Sequence, residues 1–168
     1  MAGMRLLLVL SSLVLLLGAC RKEPLPDPVR LSLPLAVDGT PFSIHQHRGH
    51  ATLVFFFSTW CVPCQAMEPF VAAAARQGKG EGIEVIGIAL DREGQKTVAP
   101  YVLVTEPPYP VLIGGGAIAE GRSAFGRIPE LPAVIFLDGE GRPAAVLTGV
   151  ANTELLLDRA REVRGRTR

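Results

Sequence analysis

Cysteine is scarce in this chain: Cys20, Cys61 and Cys64 are the three in 168 residues. That is too few for the disulfide framework that staples small secreted scaffolds. An excess of either charge is lacking as well. Lys and Arg number 17 against 16 Asp and Glu, a formal net charge of +1, so no basic surplus exists to neutralise a phosphate backbone, and nucleic acid is excluded as a partner. The N-terminal apolar run at residues 6–17 is twelve residues long and interrupted by Ser11 and Ser12. It falls short of the about 20 residues a helix needs to cross a bilayer. Internal repeats are absent, and at roughly 150 residues per domain the length leaves room for one domain. What is present in quantity is apolar side chain, 48% of the total, enough for a sizeable core.

Residues 1–19 read as a targeting segment. Arg5 precedes the apolar run and no acidic residue appears before Glu23, the layout of a signal peptide. The stretch Leu17-Gly18-Ala19-Cys20 resembles the lipobox of bacterial lipoproteins, which implies cleavage before Cys20, lipidation of its thiol and a membrane anchor; the competing reading is an ordinary secretory signal. More than one acyl chain is needed for stable anchoring, and a lipidated, N-acylated cysteine supplies them. Residues 21–34 hold four prolines in 14 positions. They exclude helix and favour an extended spacer. The expected organisation is a signal segment at 1–19, a lipidated cysteine and spacer at 20–34, and one domain at 35–168.

Within that domain strand-like and helix-like segments alternate, separated by turn signals such as Asp38-Gly39 and Asp138-Gly139. Strands are expected at 51–57, 83–90, 110–113, 133–137 and 143–148, and helices at 62–76, 94–104, 116–125 and 153–163. The first two strands are nearly continuous apolar runs, as in strands covered on both faces. The last two are joined by Asp138-Gly139-Glu140-Gly141, too short for a crossover and therefore an antiparallel hairpin. The expected fold is α/β, a mixed sheet with helices on both faces.

Chemistry is concentrated in Trp60-Cys61-Val62-Pro63-Cys64, where the apolar strand gives way to a helix. A cysteine at a helix N-terminus faces unsatisfied backbone N–H groups and the positive end of the helix dipole, both of which favour thiolate. Cys61 is thus the candidate nucleophile. Cys64 lies one turn deeper on the same face, where it can close a disulfide with a residue at the cap and act as the resolving thiol. Pro63 suits the first turn, where its missing N–H has no helical acceptor to lose. Haem attachment is excluded, because Gln65 stands where a His is required. A zinc site would have to recruit His45, His47 and His50 from upstream, and those side chains read better as a polar surface loop.

With these segments in place, the chain resembles the thioredoxin superfamily and, within it, the TlpA/ResA-like thiol-disulfide oxidoreductases. The resemblance spans about residues 35–165. It rests on an opening hairpin at 35–42, the strand and motif at 51–64, Pro69 in the first helix, a helix–strand insert at 91–113, and Leu131-Pro132 before the strand at 133–137. It implies a cis bond at Pro132, favoured over Pro129 because Pro132 directly precedes the strand. It also implies a substrate-contacting rim of Trp60, Pro63, Leu131 and Pro132, protein substrates with disulfides or thiols, a membrane-bound electron donor, and no metal or organic cofactor. Reduction of haem-binding cysteines during cytochrome c maturation is the role the resemblance suggests, on the extracytoplasmic side of a bacterial membrane. Two positions depart from the pattern: Phe55 stands where an Asp or Asn is frequent, and Met67 where a Glu is. Glu68, next along and four residues from Cys64, is the candidate base for the buried thiol. The alternatives are a non-catalytic metal or haem carrier and a thiol peroxidase, the latter disfavoured because Thr59 is two residues from Cys61 rather than three.

Overall fold

The computed structural model describes residues 26–165. The signal-like segment, Cys20 and the first part of the Pro-rich spacer lie outside them. In chain order the elements are β1 (Ser32–Pro34), β2 (Pro41–Ser43), a 3-10 turn (Ile44–His47), β3 (Ala51–Phe57), α1 (Val62–Gly78), β4 (Ile83–Ala89), α2 (Gln95–Thr105), β5 (Val111–Ile113), α3 (Gly116–Ala119), β6 (Ala133–Leu137), β7 (Pro143–Thr148) and α4 (Thr153–Gly165).

All seven residues of β3 are buried, which requires a neighbour on each edge and a layer on each face. The edges are taken by β4, parallel, and β6, antiparallel, in a five-stranded mixed sheet of order β5-β4-β3-β6-β7. Alternation of side chains along each strand then divides the core in two. Leu53, Phe55 and Phe57 face a cluster with Met67 and Val71 of α1 and Leu156 and Ala160 of α4. Val54 and Phe56 face the other side, where Ile118 of α3, Phe125, Ile44 and Val29 cover them. The sheet therefore carries helices on both faces, as its composition leads one to expect. β1 and β2 form a separate antiparallel hairpin over the second face.

The strands fall within a residue of their expected bounds. Pro110 is left out of β5 because it has no N–H to give; its carbonyl instead accepts from Gly87 N at 2.9 Å. The hairpin begins three residues before the expected domain boundary at Leu35, and Val29 is buried against the core. The helix expected over 116–125 is corrected to Gly116–Ala119. Gly121 has φ +73°, its N–H bonds to Ile118 O at 3.0 Å, and Arg122 N bonds to Ala117 O at 2.7 Å. That pair of bonds around a left-handed glycine is a Schellman stop.

Phe56 is fully buried and meets Phe125 edge-on, with ring centroids 5.1 Å apart. Phe56→Ala is expected to cost about 3–5 kcal/mol in urea unfolding. Val146, 62% exposed on the outer strand β7, should tolerate Ala within about 0.5 kcal/mol.

Candidate functional site

β3 ends at Phe57, and Ser58-Thr59-Trp60 lead directly into the cap of α1. Cys61 is the N-cap residue, with extended backbone at φ −80° and ψ 100°. Its Sγ accepts a hydrogen bond from Cys64 N at 3.2 Å, which places sulfur where the helix leaves an N–H unsatisfied. Cys61 and Cys64 are joined by a disulfide, their Cα atoms 5.2 Å apart. Both are buried beneath an exposed rim in which Trp60 and Val62 are 70% and 71% exposed, and Pro63 stands exposed in the first turn.

Under the pair the floor is apolar. The cysteines share a cluster with Phe55, Phe57 and Met67, and Phe55 stacks on Phe57 at 5.3 Å. The two departures seen in the sequence thus have one structural expression: Phe55 and Met67 are both buried side chains of this floor, where an unpaired carboxylate would be costly.

Glu68 lies on the flank of α1, half-buried, and accepts a hydrogen bond from Tyr101 Oη of α2 at 2.5 Å. Tyr101 in turn packs beside Phe57, ring centroids 6.0 Å apart. Burial, and after it the neighbouring Glu68 carboxylate, pushes the Tyr101 hydroxyl far above the usual tyrosine range; Tyr109 is raised for the same two reasons. Both hydroxyls therefore stay protonated, and Tyr101 remains a donor to Glu68 at physiological pH. A cleft of about 370 Å³ lined by Glu68, Gln65, Pro69 and Pro108 opens the carboxylate to solvent.

The Leu131–Pro132 bond is cis, as expected of Pro132 in preference to Pro129. The β3–β6 register pairs Phe56 with Ala133, which carries Pro132 alongside Phe57, at the start of the loop that bears Cys61. Pro132 O accepts from Gly149 N at 2.9 Å, and Leu131 packs against the cluster that contains the cysteines. Trp60, Cys61, Pro63, Cys64 and Leu131-Pro132 are thus assembled at one end of the sheet, with Glu68 on its flank.

The histidines lie elsewhere. His50 immediately precedes β3 and the cysteines follow it, so a seven-residue strand of roughly 3.3 Å per residue separates them. One ion cannot bridge that span, which removes the Cys-His arrangement a metal carrier would use. His47 instead stacks on Phe42 at 5.2 Å and lies 4.0 Å from Glu84, with burial lowering its pKa. Thr59, the nearest threonine to Cys61, points its hydroxyl at Asp91, 2.6 Å away. Asp91 and Tyr101 escaped the sequence reading, because each meets the site from more than 30 residues away in the chain and no local motif marks either.

Comparison with known proteins places the same features in a family. The Redoxin family model matches residues 21–155. The thiol-disulfide oxidoreductase ResA of Bacillus thuringiensis is 27% identical over 121 residues, 71% of this chain and 67% of that one; ResA of Bacillus subtilis is 22% identical over 72% of this chain and 65% of its own length. A thioredoxin-family thiol:disulfide interchange protein from Chlorobium tepidum superposes with TM-score 0.72 at 23% identity, covering 84% of this chain and 98% of its own. A secreted thiol-disulfide isomerase from Corynebacterium glutamicum does so with TM-score 0.72 at 18%, covering 87% and 93%. A thioredoxin-like fold with a capped Cys-x-x-Cys disulfide defines the class: this is a TlpA/ResA-like thiol-disulfide oxidoreductase. The chain belongs to the Redoxin family.

The cap position predicts the order of thiol reactivity. In the reduced protein at neutral pH, limiting iodoacetamide should modify Cys61 before Cys64, as read by peptide mass mapping. Equal or reversed labelling would place the nucleophile elsewhere.

Proposed function

We propose that this protein is a membrane-tethered, extracytoplasmic reductase of protein disulfides, with Cys61 as the attacking thiol and Cys64 as the resolving one. The observation that carries the reading is Cys61 at the N-cap of α1, its sulfur on the Cys64 amide, beneath an exposed rim of Trp60, Val62 and Pro63. In the exchange the Cys61 thiolate attacks a substrate disulfide, a mixed disulfide forms, and one substrate thiol leaves. Cys64 then loses its proton and attacks Cys61 Sγ. The second substrate thiol departs, the Cys61–Cys64 disulfide forms, and two electrons have passed to the substrate. A membrane-bound donor must return them by reducing the pair.

Substrate recognition follows from the rim. Trp60, Pro63 and the Leu131-Pro132 segment offer apolar surface and backbone groups to an extended polypeptide, the mode by which a strand end binds a peptide. Haem-binding cysteines awaiting cytochrome c maturation are the proposed physiological target, a reading supported by the likeness to ResA. Tethering through a lipidated Cys20 follows from Leu17-Gly18-Ala19-Cys20 and the prolines after it.

Glu68 is the proposed base for Cys64. It lies one helical turn from that thiol, is held by Tyr101 and reaches solvent through the cleft beside it. Its proton can therefore leave without crossing the apolar floor.

Insulin-disulfide reduction should vanish in Cys61→Ser, and Cys64→Ser should accumulate mixed disulfides in cells, since nothing resolves them. Full activity of Cys61→Ser overturns the mechanism. Glu68→Gln keeps the size but removes the base. Resolution of a preformed mixed disulfide should slow by roughly 10²-fold, as expected for loss of a positioned general base, with attack by Cys61 unaffected. Resolution at the wild-type rate across pH 6 to 8 would assign Glu68 to structure alone. Separately, Cys20→Ala should abolish lipid labelling and membrane fractionation; label retained in that variant refutes the anchor.

A further inference from the structure

Asp91 is a buried carboxylate that the exchange described above does not use. It lies two residues past the end of β4 and is 4% exposed. The parallel pairing of Phe57 with Ala89, continued two steps, brings Asp91 level with Thr59. There it accepts from Thr59 N at 3.2 Å through Oδ1 and 3.1 Å through Oδ2, and from Thr59 Oγ1 at 2.6 Å. On its other side Thr59 is held by α1, because its carbonyl accepts from Gln65 Nε2 at 2.6 Å. One residue of the loop before Cys61 is thus tied both to the sheet and to the first turn of the helix.

We propose that Asp91 is a positioning residue for thiol–disulfide exchange, holding Cys61 at the helix cap through Thr59 once the disulfide has opened. The proposal rests on Cys61 being the attacking thiol. In the oxidised protein the bond to Cys64 fixes Cys61 on its own. Reduction removes that link, and the cap then depends on the backbone on either side of it. After Cys61 the helix holds, with Gln65 N bonded to Cys61 O at 3.1 Å; before it Cys61 N bonds to Ser58 O at 3.0 Å. Thr59 lies inside this Ser58–Cys61 turn, so its grip on Asp91 anchors the turn to β4. A sulfur kept at the cap retains the Cys64 N–H and the helix dipole as partners of its thiolate. A sulfur that drifts loses both and takes up a proton.

A burial role alone would be met by any side chain that fills the space, whereas positioning needs the hydroxyl and the carboxylate. This difference sets the test, made on the full-length reduced protein by following Cys61 alkylation with iodoacetamide against pH, with peptide mapping to separate Cys61 from Cys64. Thr59→Val keeps the shape and loses the hydroxyl donor; Thr59→Ser keeps the donor. In Thr59→Val and in Asp91→Asn the midpoint of the Cys61 profile should rise by about one pH unit, which lowers the thiolate fraction and the alkylation rate at pH 7 roughly tenfold. Thr59→Ser should stay within about twofold of wild type. The double variant should be no slower than the slower single, because the two changes break one interaction. If Asp91→Asn does not fold, Thr59→Val against Thr59→Ser decides alone. A wild-type profile in folded Thr59→Val, or equal slowing in Val and Ser variants, overturns the proposal. Failure of the underlying reading is separate and is seen in the wild-type protein, as Cys64 labelled ahead of Cys61.

Discussion

Burial of Ala51–Phe57 on both faces and both edges is the constraint from which the rest of the structure follows. A strand so enclosed has no backbone group free to meet water, so β4 and β6 must pair along nearly its whole length. The same enclosure decides where chemistry can occur. Apart from the Thr52 hydroxyl the strand is wholly apolar, and the reactive groups gather where it ends, at the turn into α1. Cys61 is the first residue past β3 whose sulfur meets a helix terminus, and its position is inherited from the strand.

This accounts for the apolar character of the floor beneath the disulfide. Phe55 and Phe57 project toward α1 together with Leu53, and Met67 and Val71 answer from the helix. A carboxylate on β3 in place of Phe55 would have to be desolvated inside that cluster with no partner in view. The acidic groups near the cysteines come from the margins instead, each with a hydrogen-bond donor: Asp91 with Thr59, Glu68 with Tyr101. Both carboxylates thereby stand beside the site, each met by a donor, and outside the apolar cluster under the cysteines.

Most of the architecture was legible in the sequence because its signals are local. The continuous apolar runs of β3 and β4, the Asp138-Gly139 turn of the last hairpin and the Cys-x-x-Cys step from strand to helix each depend on a few adjacent residues, and Pro132 could be singled out by its place before an apolar strand. Misreading began where local pattern and tertiary context diverge. Residues 116–125 contain apolar side chains at helical spacing, yet Gly121 in the left-handed region stops the helix after one turn. Ser32–Pro34, in a stretch rich in proline, becomes a strand because Pro41–Ser43 offers it a partner. Asp91 and Tyr101 were invisible for another reason: their roles are defined by residues 32 and 33 positions away, and a single Asp or Tyr carries no hint of such a partner.

The placement of the two carboxylates also separates the two thiols in the proposed exchange. Asp91 acts on the segment before Cys61 and reaches no sulfur itself, since its bonds are spent on Thr59. Thiolate formation at Cys61 is then left to the helix terminus, which needs no proton acceptor. Cys64 stands inside the first turn, where its own amide already serves the Cys61 sulfur, so the helix terminus offers its thiolate less. The base proposed for it, Glu68, lies on the flank of α1 one turn further on. Tyr101, kept protonated by burial and by Glu68 itself, donates to one carboxylate oxygen and leaves the other to accept a proton. In this proposal the first thiol is activated by the helix terminus and the second by the Glu68 carboxylate. A dithiol so divided can present a ready nucleophile to substrate while its partner stays protonated until the mixed disulfide has formed.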